Sequence, residues 1–218
     1  MTEDIITKSD HYLIDGEKFW RVTAVLNIVS KPELYRWFGK YGREKCDQIR
    51  ERRAEIGTKL HSIIEKTLNN KEIGEIKGKS LKDSYNLFMQ WYKQHELEPL
   101  YTEHHMKHDL HQYAGTCDYI GILDGKTVII DWKTSKFLGY TYVLQLVAYY
   151  YMLLEEQPGL EIDEARIISF RDGKIQEVII PAKEFPHLFD IFLCCLTVFK
   201  HKKIFKVKSR RVKIDDRS

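Results

Sequence analysis

The sequence predicts a mixed α/β fold, a central mixed sheet flanked by helices, with a helical extension at its N-terminal side. Three observations carry this. Between residues 31 and 95 apolar residues recur near the helical period; between 101 and 133 the pattern changes to three successive β segments; from 140 onward a helix, two strands and a closing helix follow.

Taken in order, Tyr12–Phe19 reads as a small hairpin around Asp15-Gly16, because Asp-Gly suits a two-residue turn. Pro32 suits a first helical turn, so a helix carrying Leu34, Tyr35, Trp37 and Phe38 follows it and ends near Gly39 or Gly42. A second helix, from about Glu44 to Leu68, has an apolar stripe of Ile49, Ile56, Leu60, Ile63, Ile64 and Leu68. A third covers about Ser80 to His95. The strands Tyr101–Lys107, Gln112–Leu123 and Thr127–Lys133 come next. Tyr140–Glu156 is apolar almost all round, which predicts a helix buried on two sides. Ala165–Phe170 and Ile175–Ile180 flank an Arg-Asp-Gly-Lys turn, and Phe185–Lys200 closes as a helix. At 218 residues the chain suits one domain, divided as residues 1–56 (hairpin and helices), 57–181 (core) and 182–218 (helix and basic tail).

Composition excludes some classes. No apolar run approaches the ~18 residues of a membrane span. Glu3 and Asp4, with no apolar stretch after them, argue against a secretory or mitochondrial leader, so a cytoplasmic location is expected, with no membrane partner. The four cysteines form no C-x-x-C pair and no zinc-like spacing; Cys194 and Cys195 lie in an apolar run and read as small core residues of a protein in a reducing compartment. The net charge of +3 hides an asymmetry: Lys200, Lys202, Lys203, Lys206, Lys208, Arg210, Arg211 and Lys213 crowd one stretch and leave the remainder slightly acidic. Such a stretch suits a polyanion, or is a solvated tail.

The chemistry begins with Asp118 and Asp131. If Asp124-Gly125 is a two-residue turn, residues whose numbers sum to 249 face each other, and these two do. Their Cβ atoms then lie roughly 5 Å apart, where like charges destabilise a sheet unless a cation sits between them. Lys133 projects from the same face as Asp131, while Trp132 points to the core and leaves its carbonyl near the site. Mg²⁺ held by one or two carboxylates keeps water positions open for phosphodiester hydrolysis, and the ammonium of Lys133 would position or deprotonate the attacking water. His61 and Glu65 in G-T-K-L-H-S-I-I-E share one helix face, and an imidazole beside two carboxylates suits Mn²⁺ as well as Mg²⁺. Gln145 and Tyr149, also one helical turn apart, are unusual in so apolar a helix. Each has a plainer alternative: a surface Asp-Lys ion pair, a structural histidine, and an amide and phenol satisfied by nearby backbone. Arg36, Trp37 and Lys40, with Tyr35, Tyr41 and Arg43, alternate aromatic and basic groups, which suits base stacking beside phosphates or an ordinary helix core with solvated charge.

Together the motifs G-T-x-x-H-x-x-x-E, G-T-x-D, D-x-K-T and Q-x-x-x-Y, over residues 57 to 149, resemble the RecB-type branch of the PD-(D/E)XK nuclease superfamily. The upstream Tyr12–Trp37 region, with Val22-Thr23-Ala24-Val25-Leu26, is similar to small phage-type exonucleases and the mitochondrial genome maintenance exonuclease. The resemblance implies a restriction-endonuclease-like αβββαβ core and hydrolysis of DNA with one or two Mg²⁺ or Mn²⁺ ions. It implies His61, Asp118, Asp131 and the Trp132 carbonyl as metal ligands and Lys133 as the group assisting the water. Thr134, Gln145 and Tyr149 would be supporting residues and Glu65 a second-metal or outer residue. It implies DNA as partner; by their charge and aromatic pattern Arg36, Trp37, Lys40, Lys202, Lys203, Lys206, Arg210 and Arg211 are the candidate contacts, in a bacterial or phage-infected cell, and a protein partner in replication or recombination stays open. The cysteine spacing of the iron–sulfur relatives is missing, so no such cluster is expected. The implied activity is an exonuclease on single strands or free ends; a structure-specific or nicking endonuclease and a catalytically silent nucleic-acid-binding module are the alternatives.

Overall fold

The structure, a computed structural model, describes residues 5–29 and 32–201. Its elements are β1 (Ile5–Thr7), β2 (His11–Ile14), β3 (Glu17–Arg21), α1 (Val22–Val25, prolonged by a 3-10 turn over Leu26–Ile28), α2 (Pro32–Tyr41) and α3 (Arg43–Leu68). Then come α4 (Lys79–Tyr92), β4 (Leu97–His108), β5 (Tyr113–Leu123), β6 (Lys126–Lys133), α5 (Tyr140–Glu156), β7 (Glu164–Arg171), β8 (Lys174–Pro181) and α6 (Phe185–His201). The expected elements are all present, with ends moved by a few residues. Strand β1 and helix α1 were not expected.

Asp-Gly pairs make three hairpins. Asp15-Gly16, Asp124-Gly125 and Asp172-Gly173 hold both residues at positive φ (50° and 84°, 50° and 79°, 51° and 71°), the turn geometry that twists with its strands. The central one fixes the β5–β6 register that the numbering predicts, from Leu123 opposite Lys126 to Tyr119 opposite Ile130.

The sheet runs β1-β2-β3-β5-β6-β7-β8, with β4 also paired to β5. It is mixed: β6 and β7 are parallel, joined through α5, whereas β4–β5, β5–β6 and β7–β8 are antiparallel. Alternation along the strands sorts side chains onto two faces. Val128, Ile130, Trp132, Ile168 and Phe170 pack with Leu60 and Ile64 of α3 and Phe88 and Trp91 of α4. Ile129, Ala165 and Ile167 pack on the other face with α1, α5 and α6. Helix α5 lies between the sheet and α6, which is why it is apolar all round.

One edge of β5 is shared. Strand β3 pairs in parallel with Tyr113 and Ala114, and β6 pairs with Tyr119–Leu123. Between these two stretches β3 and β6 diverge from β5 over Gly115–Asp118, and the candidate site occupies that split.

The reading of Cys194 and Cys195 as core residues is corrected. Phe185, Phe189, Phe192, Leu196 and Phe199 form the buried stripe of α6, and helical spacing turns Cys194 outward, exposed, with Cys195 half-buried. Among the described residues no helix is long and apolar enough to cross a membrane.

Candidate metal centre

At the split, Asp118 does what a strand would otherwise do. Its Oδ2 accepts a hydrogen bond from the Trp132 backbone N–H at 2.7 Å, so the carboxylate continues the ladder after Ile130. Trp132 anchors that point of β6: its ring is 1% exposed, edge-on to Phe88 at 5.8 Å and to Trp91 at 5.5 Å. Its carbonyl faces back to the site and lies 2.7 Å from His61 Nε2.

His61 comes from the second half of α3, where burial of Leu60, Ile63 and Ile64 fixes the helix against the sheet. Its Nδ1 lies 3.3 Å from Asp118 Oδ1 and 3.8 Å from Glu103 Oε1. Burial disfavours the imidazolium, but the adjoining Asp118 carboxylate outweighs this and lifts His61 to about 9. Asp118 in turn is held below the usual carboxylate range: its burial is overcome by His61, Lys133 and the Trp132 N–H.

Asp131 is fully buried and faces α5, as its parity with Ile129 requires. Gln145 Nε2 donates to its Oδ1 at 3.2 Å, and Lys133 Nζ lies 2.5 Å from its Oδ2. Burial and then the like charge of Asp118, set against Lys133, leave it raised to about 6. Lys133, half-buried and flanked by Asp131 and Asp118, has its pKa raised and stays an ammonium; the Tyr142 ring lies 4.9 Å from it. Gln145 also donates to the Tyr149 hydroxyl at 2.9 Å, which ties the two polar residues of α5 together. Tyr149 lies against the backbone of Gly115, where a Cβ would come within 2.6 Å of its ring. That contact explains the glycine of the G-T-x-D motif.

Glu103 is the residue that sequence reasoning missed. In the β4–β5 register Thr102 faces Tyr119 and His104 faces Cys117, so Glu103 sits opposite Asp118. His61, Glu103 and Asp118 offer ligand atoms within 4.8 Å of one another. Desolvation, then the Asp118 charge, push Glu103 up to about 7. His61 and Lys133 offset Asp118 and Asp131, and Glu103 is the carboxylate left over. One imidazole and two carboxylates at this spacing, with surplus negative charge, are compatible with a divalent cation.

The other expected residues fall as follows. Glu65, one turn after His61, is 3.9 Å from Lys71 and close enough to Glu103 to repel it. The Thr134 hydroxyl would lie 3.6 Å from a Cβ at Gly57. Helix α2 packs on α3, with Arg36 and Lys40 exposed and Trp37 half-buried beside Phe38; among the described residues no hydrogen bond or ion pair links these three to the cluster. Lys202, Lys203, Lys206, Arg210 and Arg211 lie outside the described residues.

No family model and no curated protein matches the chain. Solved structures do. One named "Putative exonuclease" from Eubacterium rectale aligns with a TM-score of 0.50 at 11% identity, over 89% of this chain and 91% of that one. Another, named SSO0001, gives 0.42 at 15% identity, over 89% and 80%. At such identity the first likeness bears on the fold, a mixed sheet flanked by helices, and the second carries no argument.

Proposed function

We propose that the chain is a divalent-metal-dependent nuclease of the RecB-type PD-(D/E)XK branch, hydrolysing DNA phosphodiesters as an exonuclease on single strands or free ends. The observation that carries this reading is the convergence of His61, Glu103 and Asp118 beside the Asp131–Lys133 ion pair. The name of the structurally similar Eubacterium rectale protein is in keeping with it.

His61, once it gives up its proton, would hold the ion with Glu103 and Asp118, joined by Asp131 and the Trp132 carbonyl once Lys133 and His61 release them. The bound ion, Mg²⁺ or Mn²⁺, supplies an acidified water and charge for the phosphoryl oxygens. Lys133, an ammonium beside Asp131 and Asp118, has no lone pair to accept a proton, so it would position: its N–H groups would donate to a phosphate oxygen or the incoming water. Gln145, tied to Tyr149, holds Asp131, and Glu65 would serve a second ion or an outer hydrogen bond.

Purified protein with Mg²⁺ or Mn²⁺ should degrade end-labelled linear DNA and leave covalently closed circles intact. Asp118→Ala and Lys133→Ala should each lower the rate by about 10²-fold or more. Equal rates in these variants, or no cleavage by the wild type, refute the reading; nicked circles favour the endonuclease alternative.

A further inference from the structure

On the N-terminal side of His61 along α3, where the first half of α3 meets the start of α4, a cleft of about 440 Å³ opens. It is lined by Arg52, Arg53 and Ile56 of α3, Ser80 and Asp83 of α4, Thr134 after β6, and Arg171 and Asp172 at the β7–β8 turn. We propose that this cleft binds the backbone phosphates of a nucleic-acid single strand that runs to or from the cluster. The proposal deepens the nuclease reading and rests on it for the direction of the strand, while the binding itself is separately measurable.

Charge is the first reason. Three guanidiniums line the cleft against two carboxylates, and one of those, Asp172, is already engaged by Arg171 Nε at 3.2 Å. Arg171 is held in place: its side chain is 19% exposed, and it also donates to the Thr134 carbonyl at 3.4 Å. Among the described residues no ion pair joins Arg52 or Arg53 to a carboxylate. Burial, then the like charge of Arg171, hold the pKa of Arg53 below the usual guanidinium value despite the opposing Asp172 carboxylate. With Asp172 engaged by Arg171, guanidiniums outnumber carboxylates in the cleft, and the planar fork of arginine matches phosphate oxygens in pairs.

Position is the second reason. Thr134 directly follows Lys133, and Gly57, against which Thr134 packs, lies one helical turn before His61. From Arg53 to His61 the helix rises about 12 Å, a distance that a few nucleotides span. A strand with one phosphate at the cluster would therefore carry its neighbours along Arg53, Arg171 and Arg52. Ile49 and Ile56 give the cleft an apolar wall for sugars and bases.

The test is binding of a fluorescent oligothymidylate by anisotropy, in EDTA so that cleavage plays no part. Arg52→Gln/Arg53→Gln should weaken binding about tenfold and shallow the log–log salt slope by roughly 1.4, the value for two phosphates of a single strand. Asp83→Asn should tighten binding. Lys18→Gln/Lys183→Gln removes the same charge elsewhere and should change affinity far less. Arg52, Arg53 and Asp83 are exposed on helices, and the melting temperature of each variant is compared with wild type before its affinity is read. Unchanged affinity in the double arginine variant, or an equal loss in the lysine control, overturns the proposal. Weakening for the oligonucleotide matched by equal weakening for thymidine monophosphate overturns the strand assignment in favour of a mononucleotide pocket. A wild type that binds through the cleft yet cleaves nothing leaves this inference standing and sinks the nuclease reading instead.

Discussion

Glu103→Gln should make the metal-free protein more stable and the metal-bound protein relatively less so. Glu103 is the third carboxylate of a cluster with two cations, and its pKa stands at about 7 against an ordinary 4.5. A carboxyl with a raised folded pKa binds protons in the folded state that it lacks in the unfolded one. Its penalty is therefore absent below 4.5, grows as pH rises, and is complete above about 7. The ceiling is about 3 kcal/mol, at 1.36 kcal/mol per pKa unit. The side chain is 32% exposed, and solvent screening reduces the expected gain to about 1–2 kcal/mol. For a chain of this length that is about 2–8 °C in melting temperature. Melts in EDTA should show the variant above wild type at pH 8 and level with it near pH 4.5. With Mn²⁺ at 100 times its Kd the wild type should gain about 2.7 kcal/mol, and each tenfold loss of affinity in the variant removes about 1.4 kcal/mol of that gain. A variant that melts below wild type in EDTA at pH 8, and gains as much from Mn²⁺, would refute the reasoning.

Two further outcomes follow from contacts around the cluster. Gly115→Ala drives a methyl to within 2.6 Å of the Tyr149 ring and should cost about 1–3 kcal/mol, read as a lower melting temperature; the loss should shrink in a Tyr149→Ala background, where the ring is gone. Gln145→Leu removes the donor to Asp131 Oδ1 and the tie to Tyr149, and should lower the cleavage rate by about 10–100-fold with the fold intact by circular dichroism; an unchanged rate would separate the α5 pair from the site.

Much of the site was legible because a turn type fixes a register. Asp124-Gly125 admits one pairing, so the register up to Tyr119 opposite Ile130 follows from counting; Asp118 and Asp131 come next, just where the strands part, and parity places Trp132 in the core and Asp131 toward α5. Helix α5 was legible to its ends: its apolar run begins after Gly139 and gives way to Glu155-Glu156. Glu103 was hidden for the complementary reason. The β4–β5 connection, Asp109-Leu110-His111-Gln112, carries no Gly or Asn-Gly signal, so nothing in it selects a register. Had His108 been paired with Tyr113, the same counting would have put Glu103 opposite Asp118. The Arg52–Arg53–Arg171 cleft was out of reach altogether, because its parts come from α3 and from a turn more than 100 residues later, brought together only by the sheet. The exposed side of Cys194 is a phase question: a run apolar on nearly every position does not say which residue of α6 faces out.

The placement of the cluster has a physical logic of its own. Buried carboxylates are costly anywhere, and most costly where they meet. Here they gather where β6 leaves β5, a place where a backbone N–H needs a partner other than the next strand. Asp118 meets that need at Trp132 N–H, so one charge is part of the sheet's own hydrogen bonding rather than an addition to it. The divergence is held open from both faces: Trp132, wedged among Phe88, Trp91 and Phe170, pins the end of β6 on one side, and Tyr149 against Gly115 fills the split on the other. Asp131 is secured by Gln145 and Lys133 within the same split. Only Glu103, on the far strand β4, has no comparable structural task. That difference predicts an asymmetry among the carboxylates. Neutralising Asp118 should weaken the fold as well as the site, whereas neutralising Glu103 should spare or strengthen the fold and harm the site alone.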